Sequence, residues 1–384
     1  MKYVLRDYQQ ECSDVSVEFL KSKGKKNGVI VLPTGSGKSL VIAEIAKQLD
    51  EPLVIFQPSK EILEQNFEKL VSYGIYDVGV YSASLNSKKI DRITLATIGS
   101  AVSHPDLFER FKYTLVDECH GVNPKFGRYK DFFDLVKTKI LGLTATPFRL
   151  ASNSFGSELR FITRTRPKVF DELLYYVQIK DLLDRGYLAK MVYHDIKSID
   201  CSQLKVNSTG ADYTDKSVQD YYEKVRFKNK LKRVVDRLLE LDRKGVLIFT
   251  RFVNEAKFIV DNSDGQIEMV TAKTKKKERS SLIKRFRAGE IKAIANVGVL
   301  TTGFDYPELD TILIARPTRS LGLFYQMVGR AVRPHQDKEH AMIVDMGGNL
   351  KRFGKIEDLK LTARKNKLWH IESNGRQLTN VYMD

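Results

Sequence analysis

Leu32-Pro33-Thr34-Gly35-Ser36-Gly37-Lys38-Ser39 stands between a buried apolar run, Val29–Leu32, and a helical pattern, Lys38–Leu49. Glycines at 35 and 37 let the backbone curl, so that several N–H groups point at one place. The helix opening at Lys38 adds the positive end of its dipole. Such a loop cradles phosphate, with Lys38 on the β- and γ-phosphates and the Ser39 hydroxyl on Mg²⁺. The strict pattern has glycine where Leu32 stands, so the motif by itself also fits an ordinary glycine-rich turn. The strand before it and the helix after it favour an ATP cradle made by Pro33, Thr34, Gly35, Ser36, Gly37, Lys38 and Ser39.

Outward from that loop, short apolar runs alternate with helical patterns. Leu53–Phe56, Ile93–Thr97, Tyr113–Val116 and Ile140–Leu143 join Val29–Leu32 as expected buried strands. Each is followed by a polar or glycine-bearing turn. Continuous apolar runs of this length suit a parallel sheet covered on both faces. The pattern lapses from Arg149 to about Pro167, a connection rich in Ser, Arg and Thr. A helix over Asp171–Arg185, ended by Gly186, opens a second series. Its strands are Val192–Ile196, Val246–Thr250, Ile267–Val270, Lys292–Asn296, Thr311–Ala315 and Ala341–Asp345. One architecture is written twice. The expected division is residues 1–166, residues 167–350 and a basic tail over 351–384. The polar, Tyr-rich Asp200–Lys228 reads as an insertion or loop.

In a doubly wound sheet, ligands collect at the carboxyl ends of strands. Tyr113–Val116 runs into Asp117-Glu118-Cys119-His120, two adjacent carboxylates at such an end. Paired carboxylates divide the labour there. Asp117 holds Mg²⁺, and Glu118 orients and deprotonates the attacking water. An Asp-Glu pair is also a common solvated turn; the phosphate loop upstream favours the catalytic role.

The 384 residues carry 64 Lys and Arg against 48 Asp and Glu, a formal net charge of +16. That excess points to a polyanionic partner, of which nucleic acid is the commonest. Cys12, Cys119 and Cys201 are scattered and form no Cys-x-x-Cys pair. Reduced thiols in a cytoplasmic, nucleoid-associated chain are expected, with no zinc or iron–sulfur site. Met1–Gln10 is charged and polar, unlike a signal peptide. No apolar run approaches the roughly 20 residues of a membrane span, so no membrane partner is expected.

Asp117-Glu118-Cys119-His120 resembles the Asp-Glu-x-His box of superfamily 2 helicases, and other boxes of that family stand in order along the chain. Arg6-Asp7-Tyr8-Gln9 resembles the element whose Gln reads adenine, which implies Arg6 and Gln9 at the nucleotide. Gln57-Pro58-Ser59-Lys60 and Ala96-Thr97-Ile98-Gly99 resemble strand-end segments that touch the nucleic-acid backbone, which implies Ser59, Lys60 and Thr97 as contacts. Leu143-Thr144-Ala145-Thr146-Pro147 resembles the box coupling hydrolysis to movement; Thr144 and Thr146, with His120, take that role. Ile248-Phe249-Thr250-Arg251 resembles the box opening the second nucleic-acid surface, with Thr250 and Arg251 its contacts.

Leu300-Thr301-Thr302-Gly303-Phe304-Asp305 and Gln326-Met327-Val328-Gly329-Arg330-Ala331-Val332-Arg333 resemble the last two boxes. They imply Thr301 and Thr302 on nucleic acid, Gly303, Asp305 and Gln326 at the nucleotide, and Arg330 and Arg333 as catalytic arginines. The family implies an α/β fold of two tandem RecA-like domains, each a parallel sheet, with ATP in the cleft between them. The chain looks most like the RadD-type bacterial DNA helicases, with the XPB group more distant. Asn296–Asp305, Arg316-Pro317-Thr318 and Asp345-Met346-Gly347-Gly348-Asn349, followed by Arg352 and Gly354, carry that likeness. It departs in having no cysteines for the zinc element that RadD proteins carry near the C-terminus. Its compactness suggests a relative from a mobile element or phage.

The arginines also have physical support. Phe324–Val332 reads as a helix in which Gln326, Arg330 and Arg333 share one face at i, i+4 and i+7. Guanidinium groups suit phosphate because they are planar, always charged and bidentate. The Arg160–Lys168 run, with Phe161 interleaved, reads either as a strand-binding linker or as a plain connection. Lys275-Lys276-Lys277 and Lys284, Arg285 and Arg287 read equally as a solvated helix face or as DNA contacts. The expected function is an ATP-dependent DNA helicase or translocase, monomeric and moving 3′ to 5′ by resemblance. An RNA remodeller and an ATP-gated recruitment module stay open beside it. Loading or repair partners are not legible.

Overall fold

A strand of four or five Val, Ile and Leu residues satisfies its backbone only in a ladder with neighbours. When both faces are apolar, the sheet must be covered on both sides. The computed structural model describes residues 4–153, 156–241, 243–300, 306–364 and 368–382. The chain separates into two units, one of residues 1–149, 159–178 and 361–370, the other of residues 150–158, 179–360 and 371–384.

The first unit contains α1 (Asp7–Lys21), β1 (Gly28–Val31), α2 (Lys38–Gln48), β2 (Leu53–Phe56), α3 (Lys60–Ser72), β3 (Val78–Ser82) and β4 (Ser87–Lys88). It continues with β5 (Ile93–Ala96), α4 (Ile98–Ala101), β6 (Tyr113–Asp117), α5 (Arg128–Leu135) and β7 (Lys139–Thr144). A hairpin, β8 (Phe148–Asn153) and β9 (Gly156–Phe161), whose residues 150–158 belong to the second unit, precedes β10 (Glu172–Tyr176), which returns to the sheet. The strand order is β10-β1-β7-β6-β2-β5-β3-β4, parallel apart from the β3–β4 pair. β1, β2, β5 and β6 are buried along their whole length. Because these strands run one way, the turns after β1, β2, β5, β6 and β7 gather at one edge.

The second unit contains α6 (Ile179–Asp184), β11 (Met191–Asp195), α7 (Asp215–Lys224), α8 (Phe227–Glu240), β12 (Val246–Thr250), α9 (Val253–Asp261) and β13 (Ile267–Thr271). Then come α10 (Lys276–Arg287), β14 (Ala293–Val297), β15 (Thr311–Ala315), α11 (Leu321–Val328), β16 (Ala341–Asp345) and α12 (Asn349–Phe353). Its sheet is parallel throughout, in the order β11-β16-β15-β12-β14-β13. Two parallel-sheet domains in tandem are thus present, as expected. Among the described residues no helix is long and apolar enough to cross a membrane.

Several segments differ from expectation. Asp171–Arg185 is not one helix: β10 pairs in parallel with β1, and only Ile179–Asp184 is helical. The free edge of β1 offers a ladder, and that tertiary pairing outweighs the local helical pattern. The Asp200–Lys228 stretch is folded, with α7 capped by the Thr214 hydroxyl, which accepts from the Ser217 N–H at 3.3 Å. Tyr213, Val218 and Tyr222 from this stretch enter the core. β3 carries a glycine that masks its strand pattern; a Cβ at Gly79 would lie 2.6 Å from the Lys89 carbonyl oxygen. Phe161, expected as an interleaved aromatic on a linker, is fully buried and closed to stacking on bases.

After α12 the chain adds a three-stranded sheet of β17 (Leu359–Arg364), β18 (Leu368–Ser373) and β19 (Arg376–Gln377). The Asp345–Asn349 signature is a buried polar knot. Asp345 accepts from the Gly347 and Leu350 N–H groups at 2.9 and 2.8 Å. Asn349 donates to Asp345 at 2.8 Å and to the Arg316 carbonyl at 3.0 Å, and accepts from the Thr318 N–H at 3.0 Å. A Cβ at Gly347 would stand 2.2 Å from the Arg316 carbonyl oxygen, so only glycine fits.

Candidate nucleotide site and nucleic-acid surface

Gly35 and Gly37 both take left-handed backbone angles, φ 83° and 84°, and α2 starts at Lys38 directly after them. Curling the loop this way turns successive N–H groups inward. A Cβ at Gly37 would lie 2.5 Å from Gln9 Nε2. The Gln9 amide braces the loop from outside. Its Nε2 donates to the Ser36 carbonyl at 2.7 Å, and its Oε1 accepts from the Arg6 N–H at 2.9 Å. The Tyr8 hydroxyl donates to the same Ser36 carbonyl at 2.6 Å. The Ser36 hydroxyl is buried and has no partner. A buried, unbonded hydroxyl is costly, and one in a glycine-rich cradle fits a phosphate oxygen.

β6 ends at Asp117, and Glu118 follows at φ 49°. A non-glycine residue in the left-handed region stores strain of order 1–3 kcal/mol and often marks a working site. β7 separates β1 from β6, so the two strand ends stand roughly 10 Å apart in the sheet. Long side chains close the gap: Lys38 Nζ donates to Glu118 Oε1 at 2.6 Å. Burial opposes the Lys38 charge, but the Glu118 and Asp117 carboxylates outweigh it and hold the ammonium above its ordinary value. Burial likewise opposes the Glu118 charge, yet Lys38 and then His120 hold that carboxyl well below the usual range. Burial, and then the Glu118 carboxylate, push Asp117 up to about 6. Two carboxylates side by side therefore have opposite tendencies, as divided roles require.

The polar chain continues. His120 Nδ1 lies 3.4 Å from Glu118 Oε2, 3.0 Å from Thr144 Oγ1 and 3.2 Å from Thr146 Oγ1. The Thr146 N–H donates to Thr144 Oγ1 at 3.0 Å. Phosphate loop, acidic strand end and the turn after β7 thus form one bonded path through Lys38, Glu118, His120, Thr144 and Thr146. The donor set also suits Mg²⁺: a hydroxyl at Ser39, directly after Lys38, and the buried carboxylate of Asp117 are hard oxygen ligands.

At the ends of β2, β3 and β5 the structure gathers hydroxyls. Ser59 caps α3, accepting from the Ile62 N–H at 3.3 Å. Lys60 Nζ donates to the Ser84 carbonyl at 2.6 Å. Thr97 Oγ1 lies 3.0 Å from Ser100 Oγ and 3.4 Å from Ser82 Oγ, which in turn is 3.0 Å from Ser84 Oγ. Ser59, Lys60 and Thr97 are the contacts expected from the sequence; Ser82, Ser84 and Ser100, which the sequence did not single out, stand beside them. The signal was present in Ser82-Ala83-Ser84, hidden by the glycine in the strand before it.

In the second unit the arrangement departs from expectation. Arg251 is bound inward: it pairs with Asp215 at 2.8 Å and Asp212 at 3.2 Å, and donates to the Tyr213 and Pro317 carbonyls at 2.6 and 3.4 Å. Its side chain is only 8% exposed, so its donors are spent on the fold and not on phosphates. Thr250 is fully buried, its hydroxyl donating to the Phe252 carbonyl at 3.2 Å. α11 ends at Val328, so Arg330 and Arg333 lie past the helix and do not share a helical face with Gln326. The chain tightens there, with the Arg330 and Ala331 N–H groups donating to the Met327 and Val328 carbonyls at 3.2 and 3.1 Å, three residues back rather than four. Arg330 Nε donates to the Gln326 carbonyl at 3.4 Å. Burial draws the Arg333 guanidinium below its ordinary value. Thr301, Thr302, Gly303 and Asp305 lie outside the described residues; Asn296 leads into them, accepting from the Val299 and Leu300 N–H groups at 3.1 and 2.9 Å.

Comparison with known proteins agrees with this geometry. The family described as "Type III restriction enzyme, res subunit" matches residues 2–149, and the helicase conserved C-terminal domain matches residues 229–335. A 51.5 kDa protein of a Lactococcus phage is 28% identical over 83% of this chain and 65% of its own length. The DNA 3'-5' translocase XPB2 of Sulfurisphaera tokodaii is 26% identical over 89% of this chain and 81% of its own. The chain spans about half to two thirds of the first relatives it matches. In fold it is similar to the ATP-dependent Type ISP restriction-modification enzyme LlaBIII bound to DNA, with a TM-score of 0.64 at 16% identity over 89% of this chain and 28% of that one. A phosphate-loop sequence and an acidic strand end in one parallel-sheet unit, a helicase C-terminal match in the other, and these relatives are together consistent with a superfamily 2 helicase.

Proposed function

We propose that the chain is an ATP-dependent DNA helicase or translocase that couples ATP hydrolysis to movement along DNA in the cytoplasm. The observation that carries this is the bonded path from Lys38 through Glu118 and His120 to Thr144 and Thr146. The Lys38 ammonium, the N–H groups of residues 35–39 and the Ser36 hydroxyl hold the phosphates. Ser39 and Asp117 hold Mg²⁺, which supplies charge neutralisation when bound. Glu118 orients the attacking water and takes its proton once Lys38 has turned to phosphate. Arg6 and Gln9 face the base, with Gln9 bracing the loop through the Ser36 carbonyl. By family resemblance Gly303, Asp305 and Gln326 complete the nucleotide site, and Arg330 and Arg333 meet the charge that develops on phosphate.

Movement needs the hydrolysis state to be felt at the nucleic acid. His120 touches both Glu118 and the turn after β7, so a change at Glu118 reaches Thr144 and Thr146 directly. Ser59, Lys60 and Thr97 hold the backbone in the first unit, and Thr301 and Thr302 do so in the second. ATP turnover measured side by side with single-stranded DNA, duplex DNA, branched DNA and RNA tests the assignment. Stimulation by DNA above RNA is expected. Equal or greater stimulation by RNA would favour an RNA remodeller, and turnover indifferent to nucleic acid would favour a recruitment module.

A further inference from the structure

The loop between β6 and α5 sends an aromatic ring out of the protein. Val122 is buried, the Arg149 guanidinium donates to the Val122 carbonyl, and the Lys125 N–H donates to Asn123 Oδ1 at 3.0 Å. The base of the loop is therefore anchored. Phe126 on the same loop is 69% exposed, although the Phe56, Phe108 and Phe132 cluster lies in the same unit. Gly127 follows at φ 95°, a turn open to glycine. Arg128 comes next, exposed, and reaches over Gly99: a Cβ there would stand 2.8 Å from Arg128 Nη1. Gly99 lies between Thr97 and Ser100, inside the hydroxyl cluster. An exposed ring and an exposed guanidinium, at most about 7 Å of backbone apart, thus flank the proposed backbone-binding hydroxyls.

We propose that Phe126 stacks on a base of bound single-stranded DNA while Arg128, with the hydroxyls of Thr97 and Ser100, holds an adjoining phosphate. This rests on the nucleic-acid reading above and adds a base contact to it. Every base has an aromatic face, so such a contact is indifferent to sequence. A base inside a duplex is already stacked on its neighbours, so the contact favours single strands. Contacts to the backbone alone make no such choice.

The test uses the whole chain, without ATP, and oligodeoxynucleotides carrying 2-aminopurine at successive positions. Affinity and fluorescence are measured for wild type, Phe126→Ala, Phe126→Leu, Phe126→Trp and Arg128→Ala, with thermal unfolding to check each fold. Wild-type protein should change the fluorescence at one position. Phe126→Ala should abolish that change and lower single-strand affinity about 5- to 150-fold. Phe126→Leu should behave like the alanine variant, and Phe126→Trp should keep both signals. Arg128→Ala should keep the fluorescence change but flatten the log affinity against log salt slope by about 0.7. Wild-type affinity and fluorescence in Phe126→Ala would overturn the proposal, as would an equal loss on duplex DNA. Wild-type protein that binds no DNA would overturn the nucleic-acid reading itself, a distinct result.

Discussion

Lys38 Nζ lies 2.6 Å from Glu118 Oε1, so the ammonium and the carboxylate neutralise each other. Their side chains are 15% and 22% exposed, shielded enough for the pair to hold both charges. Phosphate oxygens arriving in the loop compete with Glu118 for the same ammonium. Glu118 is then released toward water. On the function proposed above, the pair works as a latch that keeps Glu118 occupied until a nucleotide is bound.

Lys38→Ala should lower ATP turnover by several orders of magnitude, because the main cation on the phosphates is lost. It also leaves Glu118 without its nearest partner, so stability should fall by roughly 1–3 kcal/mol. Turnover and thermal unfolding on one preparation check both. Turnover near the parent's would remove the phosphate-loop assignment.

Glu118→Gln should bind ATP but not cleave it, since an amide cannot accept the proton from water. The variant should hold DNA more tightly with ATP present than the parent does, because the cycle stops before release. Equilibrium binding of a fluorescent ATP analogue, beside turnover, checks this. Loss of nucleotide binding would make Glu118 a structural residue.

Arg251→Ala should weaken the second unit without altering the salt dependence of DNA binding. Its guanidinium ties the segment around Asp212–Asp215 to β12 and to Pro317, and no donor is left for phosphate. Lys60→Ala should do the reverse, flattening the slope of log affinity against log salt by about 0.7 while sparing stability. Urea unfolding and a salt titration on the two variants separate the cases. A flattened slope in Arg251→Ala would return it to the nucleic-acid surface.

Asn349→Ala should destabilise the second unit by about 2–4 kcal/mol, because it strands the buried Thr318 N–H and the Arg316 carbonyl. Urea unfolding reads this directly. An unchanged midpoint would show that water replaces the amide.

Much of the fold was legible because central strands of a parallel sheet are apolar on both faces. Leu53–Phe56, Val246–Thr250, Thr311–Ala315 and Ala341–Asp345 match β2, β12, β15 and β16 residue for residue. β10 was not legible, since it is a strand only because β1 has an edge to pair with. In the site, the residue types at the phosphate loop and acidic strand end were readable from spacing. Their meeting across 80 residues was not, because sequence carries no distance. Arg251 shows the converse limit. A box marks where an arginine stands in the chain, but the acids around Asp212 decide what its guanidinium binds.

The central claim is that cleavage at the Lys38–Glu118 site moves the protein along DNA. Displacement of streptavidin from biotin at the 5′ end of single-stranded DNA measures this most directly. Wild-type protein with ATP should displace it, whereas Glu118→Gln, or wild type with a non-hydrolysable analogue, should not. Hydrolysis stimulated by DNA, with streptavidin left in place at either end, would contradict translocation and leave an ATP-gated clamp.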